Sequence, residues 1–190
     1  MKVLRKIIFC TAFLAWPAFA AELEGVKLDD KLTAGKQELQ LNGLALRTRF
    51  FFKVYVAGLY LPQKTQSAQA VLDMPGAKRM TLVMLRDVDS ESFTQSLRAA
   101  LRDSNSAADL ERLKPQVEAL FAAIQHIGEA KKGATIVLDF APGAGTSLIM
   151  NGAVEMKPVA GDDFFAALLR IWLGTGPVAE QMKKALLGAP

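Results

Sequence analysis

The chain has 190 residues, of which 51% are hydrophobic, 22% charged and 8% aromatic, with a formal net charge of +4, 14 glycines, 8 prolines and one cysteine. Apolar content at this level excludes intrinsic disorder, the unperiodic Gly and Pro exclude a collagen-like repeat, and a lone cysteine excludes an internal disulfide framework. The length fits one domain or two small ones.

At the start of the chain, Lys2, Arg5 and Lys6 precede an apolar run from Ile7 to Trp16, then Pro17 and the small-residue segment Ala18-Phe19-Ala20. This order predicts a cleavable signal peptide over residues 1–20 and a single domain over 21–190. A helix that crosses a bilayer needs roughly 20 apolar residues, so no permanent membrane anchor is expected. Cleavage removes Cys10 and three basic groups and leaves 20 basic against 19 acidic residues. The positive charge therefore resides in the leader. No basic run with interleaved aromatics remains, and no nucleic-acid partner is expected. Export of a chain without thiols points to a periplasmic location.

Residues 21–31 mix polar and apolar side chains, which predicts an extended arm at a sheet edge. From Lys36 to Arg47, Leu39 and Leu41 share one face while Leu44 and Leu46 fall on the other, so a strand with a bulge or bend at Asn42-Gly43 is predicted. From Phe50 to Leu61, β-branched and aromatic residues dominate until Pro62 and predict a central strand. Its Phe50, Phe52, Val54, Val56, Gly58 face is purely apolar and is expected under helices. Its Phe51, Lys53, Tyr55, Ala57, Leu59 face carries polar tips and is expected against something partly wet.

A short helix is predicted over 67–74, then a strand from Lys78 to Arg86. A helix opening at Ser90 buries Phe93, Leu97, Ala100 and Leu101 in one stripe. The pattern Ser106-x-x-Asp109 starts a further helical stretch to about Ile127, which Pro115 should kink or divide. Thr135–Phe140 and Thr146–Met150 flank a turn-rich loop and predict a hairpin, with a short strand after it at Val154–Lys157. Helices over Asp163–Leu173 and Pro177–Leu187 are each closed by a glycine. Antiparallel strands with helices inserted as blocks give an α+β class.

Chemistry-bearing patterns are few. His126 is the single histidine and no cysteine survives cleavage, so neither a metal site nor a Ser-His-Asp triad is expected. Gly143-Ala144-Gly145 lacks the third glycine and the strand-to-helix setting of a dinucleotide loop and reads as a turn, so no cofactor is expected. Asp87, Asp89, Asp162 and Asp163 suit helix starts. Arg47 just before the central strand, with Lys53 and Tyr55 on that strand, is the remaining cluster. Residue pattern alone leaves two readings open: cations reaching water at strand ends beside a packed tyrosine, or a cleft whose guanidinium demands an anion. No pattern selects an oligomeric state.

The segment Phe51-Phe-Lys-Val-Tyr-Val-Ala-Gly-Leu-Tyr-Leu61 resembles the central strand of the chalcone isomerase family, of form F-x-K-[VF]-x-x-x-G-[LV]-Y-[LV]. Asn42-Gly-Leu-Ala-Leu-Arg47, Met80–Leu85, Lys132–Phe140 and Ala167–Gly174 agree with it in order. The resemblance implies an open-faced β-sandwich, an antiparallel sheet with a layer of helices on one face and a cleft between them. In the plant enzymes that cleft closes a flavanone ring, assisted by an arginine, a strand threonine and a helix tyrosine; non-catalytic relatives bind fatty acids there. On this chain the arginine falls on Arg47, the threonine on Tyr55 and the tyrosine on Phe93, while two further polar contacts land near Ala100 and Phe165. The implied site is thus Arg47, Tyr55, Lys53 and Phe93 as ligand contacts, with Arg47 and Tyr55 catalytic only in an enzyme. The implied partner is a small lipophilic acid. An intramolecular lyase or isomerase acting on an enone, and an envelope interaction protein with a closed cleft, are the alternatives.

Overall fold

Residues 20–189 are described by the computed structural model of the chain, so the predicted leader, Ala20 apart, lies outside them. The segment expected to be an extended arm is a small hairpin instead. Strands β1 (Ala20–Leu23) and β2 (Val26–Asp29) pair antiparallel, because Glu24 and Gly25 both adopt positive φ, 54° and 76°, and close a two-residue turn. β3 (Lys31–Ala34) then becomes the sheet edge beside β4 (Gln37–Arg49).

β4 and β5 (Phe52–Leu61) form the long central pair. Between Leu41 and Gly43 the register slips by one, leaving Asn42 without an opposite number, which is the bulge expected at Asn42-Gly43. A helix α1 (Ala68–Asp73), capped by Ser67, leads into β6 (Lys78–Met84). Residues β7 (Val88–Asp89) and β8 (Glu129–Ala130) pair briefly around α2 (Ser90–Ser104), α3 (Ala107–Arg112) and α4 (Lys114–Ile127). As expected, the helical stretch is divided: Leu113 leaves helical geometry and Pro115 sits in the first turn of α4, where its missing N–H costs nothing. β9 (Thr135–Ala141) and β10 (Gly145–Met150) form the expected hairpin, and β11 (Ala153–Val159) runs longer than predicted. α5 (Asp162–Leu173) and α6 (Pro177–Leu186) end the chain.

The result is a seven-stranded antiparallel sheet of order β11-β10-β9-β6-β5-β4-β3 with helices against one face, the α+β class expected. α5 is the centre of the helical layer. Its Phe164, Phe165, Leu168, Leu169 and Trp172 are all buried, in one core with Ala57, Leu59 and Leu61 of β5 and Met80, Leu82 and Met84 of β6. Two strand expectations are corrected here. Phe50 and Phe51 lie in the β4–β5 turn rather than in β5, 84% and 99% exposed, with Phe50 at φ 55°. The two faces of β5 are also exchanged. Tyr55, Ala57 and Leu59 meet the helices, while Gly58 and Tyr60 face the β1–β2 hairpin, whose Leu28 lies where a Gly58 side chain would project.

Tyr60 ties that hairpin to the sheet by donating its hydroxyl to the Asp29 carbonyl at 2.9 Å. Burial, seconded by Asp29, pushes its phenol from the ordinary 10.0 up to about 12, with Arg79 opposing. A raised folded-state pKa stabilises the fold below the unfolded pKa and loses that contribution as pH climbs through the folded value. Stability should therefore fall between about pH 10 and 12. Tyr60→Phe should cost about 1 kcal/mol at neutral pH and flatten the alkaline decline, as followed by urea melts across that range.

Candidate ligand-binding cleft

Arg47 and Tyr55 are direct partners in the β4–β5 register, so antiparallel pairing sets guanidinium and phenol side by side on the helix-facing side of the sheet. Immediately beyond them the register slips again: Thr48 opposes Lys53, and Val54 is the extra residue. This second bulge has two consequences. Val54 and Tyr55 both line the space under α2, and Lys53, which simple alternation would place beside Tyr55, turns to the opposite side.

Between the sheet and helices α2, α4, α5 and α6 lies a cavity of about 520 Å³, within the range of small-molecule sites. Its depth is lined by Leu82, Ile136, Leu138 and Leu148 of the sheet with Leu120, Ile124 and Ile171 of the helices, all apolar. Phe93, Leu97 and Ala100 form its α2 wall, which is why the first two are only partly buried although they belong to the apolar stripe. Arg47, Arg49, Arg86, Tyr55 and Trp172 are among its polar lining groups, together with aspartates and serines at the ends and face of α2.

Gln181 of α6 holds Arg47. Its Oε1 accepts from Arg47 Nη1 at 2.6 Å and from the Thr48 backbone N–H at 3.2 Å, while its Nε2 donates to Thr48 Oγ1. A neutral amide orients the guanidinium without cancelling its charge, and no carboxylate pairs with Arg47 among the described residues. Tyr55 is placed differently. Trp172 Nε1 donates to its hydroxyl oxygen at 3.0 Å, which leaves the phenolic proton to be donated elsewhere. Burial raises the Tyr55 pKa, against smaller lowering effects of Trp172 and Arg47, so the phenol is a neutral donor rather than a base. Together the two side chains present a cation and an O–H at the mouth of an oily space, a pairing suited to an anion with an apolar tail.

Of the three aspartates that line the cavity, Asp103 makes no ion pair among the described residues, and the other two are engaged. Asp87 accepts from the Lys132 N–H at 2.7 Å and pairs with Lys131, and Asp89 caps α2 through the Ser92 N–H; these bonds hold both carboxyls below the usual range.

Of the residues singled out from sequence, Arg47, Tyr55 and Phe93 meet in this one cavity, whereas Lys53 does not line it and pairs at 2.6 Å with Glu24 of the hairpin turn. Lys53 is therefore corrected from a ligand contact to a strut between β5 and the β1–β2 turn. Ala100 lines the cavity, and Phe165 instead stacks on Phe140 with centroids 5.3 Å apart. His126 is exposed in the last turn of α4. Sequence reasoning missed Gln181, Trp172, Arg49 and Arg86. Only Arg49 had a local signal, since it shares the Arg47-Thr-Arg49 alternation at the end of β4.

Residues 20–188 match the family model described as chalcone isomerase-like. Among solved structures, a fatty-acid binding protein of Arabidopsis thaliana superposes with a TM-score of 0.70 at 12% identity, covering 89% of this chain and 96% of that one. At that identity the likeness speaks for the fold, and the curled antiparallel sheet with its helices is the chalcone isomerase-like fold that the strand motif implied. No curated protein matches the sequence.

Proposed function

The chain belongs to the chalcone isomerase-like family, and on that footing we propose that it is a periplasmic, non-catalytic binder of a lipophilic carboxylic acid of fatty-acid type. One observation carries the reading: a guanidinium held by an amide, with no carboxylate partner among the described residues, at an apolar cavity of about 520 Å³. The acyl chain lies among Leu82, Ile136, Leu138 and Leu148. The carboxylate takes two charge-assisted bonds, from Arg47 and from the Tyr55 hydroxyl, whose proton Trp172 leaves available. The structural neighbour's description as a fatty-acid binding protein supports the same ligand class. The basic, apolar and small-residue order of the leader supports export.

Trp172 lines the cavity, and the one other tryptophan is Trp16 in the leader, so the exported chain carries its own fluorescent reporter. Titration with palmitate should change Trp172 emission saturably, and native mass spectrometry of protein purified from the periplasm should show a copurifying acid. Tyr55→Phe should weaken palmitate binding by about ten- to a hundredfold, the worth of one hydrogen bond to a charged group. An empty cavity that ignores palmitate would end this reading. Turnover of a chalcone-like enone, lost on Tyr55→Phe, would replace it with the isomerase.

A further inference from the structure

The β4–β5 turn and the first residue of β5 carry Phe50, Phe51 and Phe52 in succession, 84%, 99% and 58% exposed. With Val154 these are the exposed large apolar side chains among the described residues, and three of them stand in one place. The turn is not built for economy of backbone. Phe50 sits at φ 55°, where a bulky L-residue is strained and Gly or Asn would close a hairpin more easily.

Cations surround the rings. Arg86 stacks over Phe52 at 4.6 Å and Arg49 over Phe50 at 5.8 Å, with Arg47 and Lys53 at the adjoining ends of the two strands. Among the described residues the three arginines make no ion pair, and only Lys53 does, with Glu24. The nearby Asp87 and Asp89 are already committed to Lys131, the Lys132 N–H and the α2 cap. Three arginines that make no ion pair among the described residues, two of them stacked on the rings, thus back a projecting aromatic tip.

We propose that this turn is a docking tip for the surface of an anionic phospholipid bilayer. Aromatic rings settle at the boundary between headgroups and acyl chains, and guanidinium groups with apolar stems meet the phosphates above it. A protein partner would need a matching pocket for three rings, whereas a bilayer accepts a convex aromatic tip without one. Phe50 and Phe52 also line the cavity mouth, so docking turns that mouth toward lipid. Phe51 does not line it, which separates docking from whatever the cavity holds.

The test is flotation of the purified protein with vesicles of phosphatidylglycerol and phosphatidylethanolamine, compared with vesicles of phosphatidylcholine alone. The wild type should float with the anionic vesicles, and less so as NaCl is raised from 0.1 to 0.5 M on screening grounds. Phe51→Ser should lower vesicle affinity by about tenfold or more, and Phe51→Trp should preserve it. Palmitate titration of Phe51→Ser should match the wild type, so a failed docking result and a failed ligand result remain distinct. Wild type and variants share every other residue, so a retained leader adds equally to each. Equal flotation of Phe51→Ser and wild type overturns the proposal. So does a Phe51-dependent dimer in sedimentation velocity without vesicle binding, which would assign the tip to a second copy of the chain.

Discussion

Gln181→Glu will weaken palmitate binding by about ten- to a hundredfold, as much as Arg47→Met, while leaving the fold as stable as before. The amide oxygen of Gln181 already accepts from Arg47 Nη1 at 2.6 Å. A carboxylate in that position supplies the counter-charge that the wild-type site leaves to its ligand. The incoming acid would then have to displace an internal partner and approach a second negative charge. Unit charges at about 4 Å interact by about 4 kcal/mol at an effective dielectric constant near 20, and solvent at this exposed rim reduces that to the range stated. The new surface ion pair itself contributes about 0–1 kcal/mol to stability, so thermal melts should barely move.

Gln181→Met separates charge from positioning. It removes the amide but adds no carboxylate, so Arg47 loses its orientation and keeps its charge, and affinity should fall only about twofold to fivefold. Trp172 fluorescence titrations of the three variants give the comparison directly. Wild-type affinity in both Arg47→Met and Gln181→Glu would show that the ligand's charged end lies elsewhere.

The parts of this site that could be read from sequence are those with a local signature. Arg47 stands at the end of an alternating strand, and the bulge one turn earlier is marked by Gly43 breaking the Leu39/Leu41 alternation. The Phe93, Leu97, Ala100 stripe follows helical spacing, and Pro115 divides α3 from α4 where a proline must. The Val54 bulge has no such mark. Phe52-Lys53-Val54-Tyr55 is uniformly good strand sequence, so nothing in it warns that alternation fails there. Lys53 leaves the Tyr55 face for that reason, whereas the exchange of the β5 faces comes from the Tyr55 hydroxyl, a polar tip that points not to water but to Trp172 of the helical layer. Gln181 was invisible for another reason. It is a glutamine on the polar side of an amphipathic helix, 134 residues from its partner, and only the tertiary fold makes it the holder of Arg47.

Gly43→Ala should be the most disruptive single-methyl change in this region, lowering stability by about 3 kcal/mol or more and the midpoint of thermal unfolding by about 6–12 °C. A side-chain carbon at Gly43 would lie 2.1 Å from the Ala185 carbonyl oxygen and 2.7 Å from that of Leu186. Both are backbone atoms at the C-terminal end of α6, so neither can rotate aside and the helix must move as a body. Asn42, the bulged neighbour, fastens the same helix end: its Nδ2 donates to the Leu186 carbonyl at 2.7 Å and to that of Thr65 at 3.1 Å, and its Oδ1 accepts from the Thr65 N–H at 2.8 Å. The contact is therefore a seam between β4 and α6. Because α6 also carries Gln181 against Arg47 and Val178 against the cavity, opening the seam should cost palmitate affinity as well as stability. Gly143→Ala is the matching control. It sits at φ 76° in the β9–β10 turn with open space around it, so it should cost about 1–2 kcal/mol of backbone strain and leave ligand binding unchanged. If Gly43→Ala melts with the wild type, α6 does not rest on β4 as closely as 2.1 Å requires, and the amide that holds Arg47 loses its anchor.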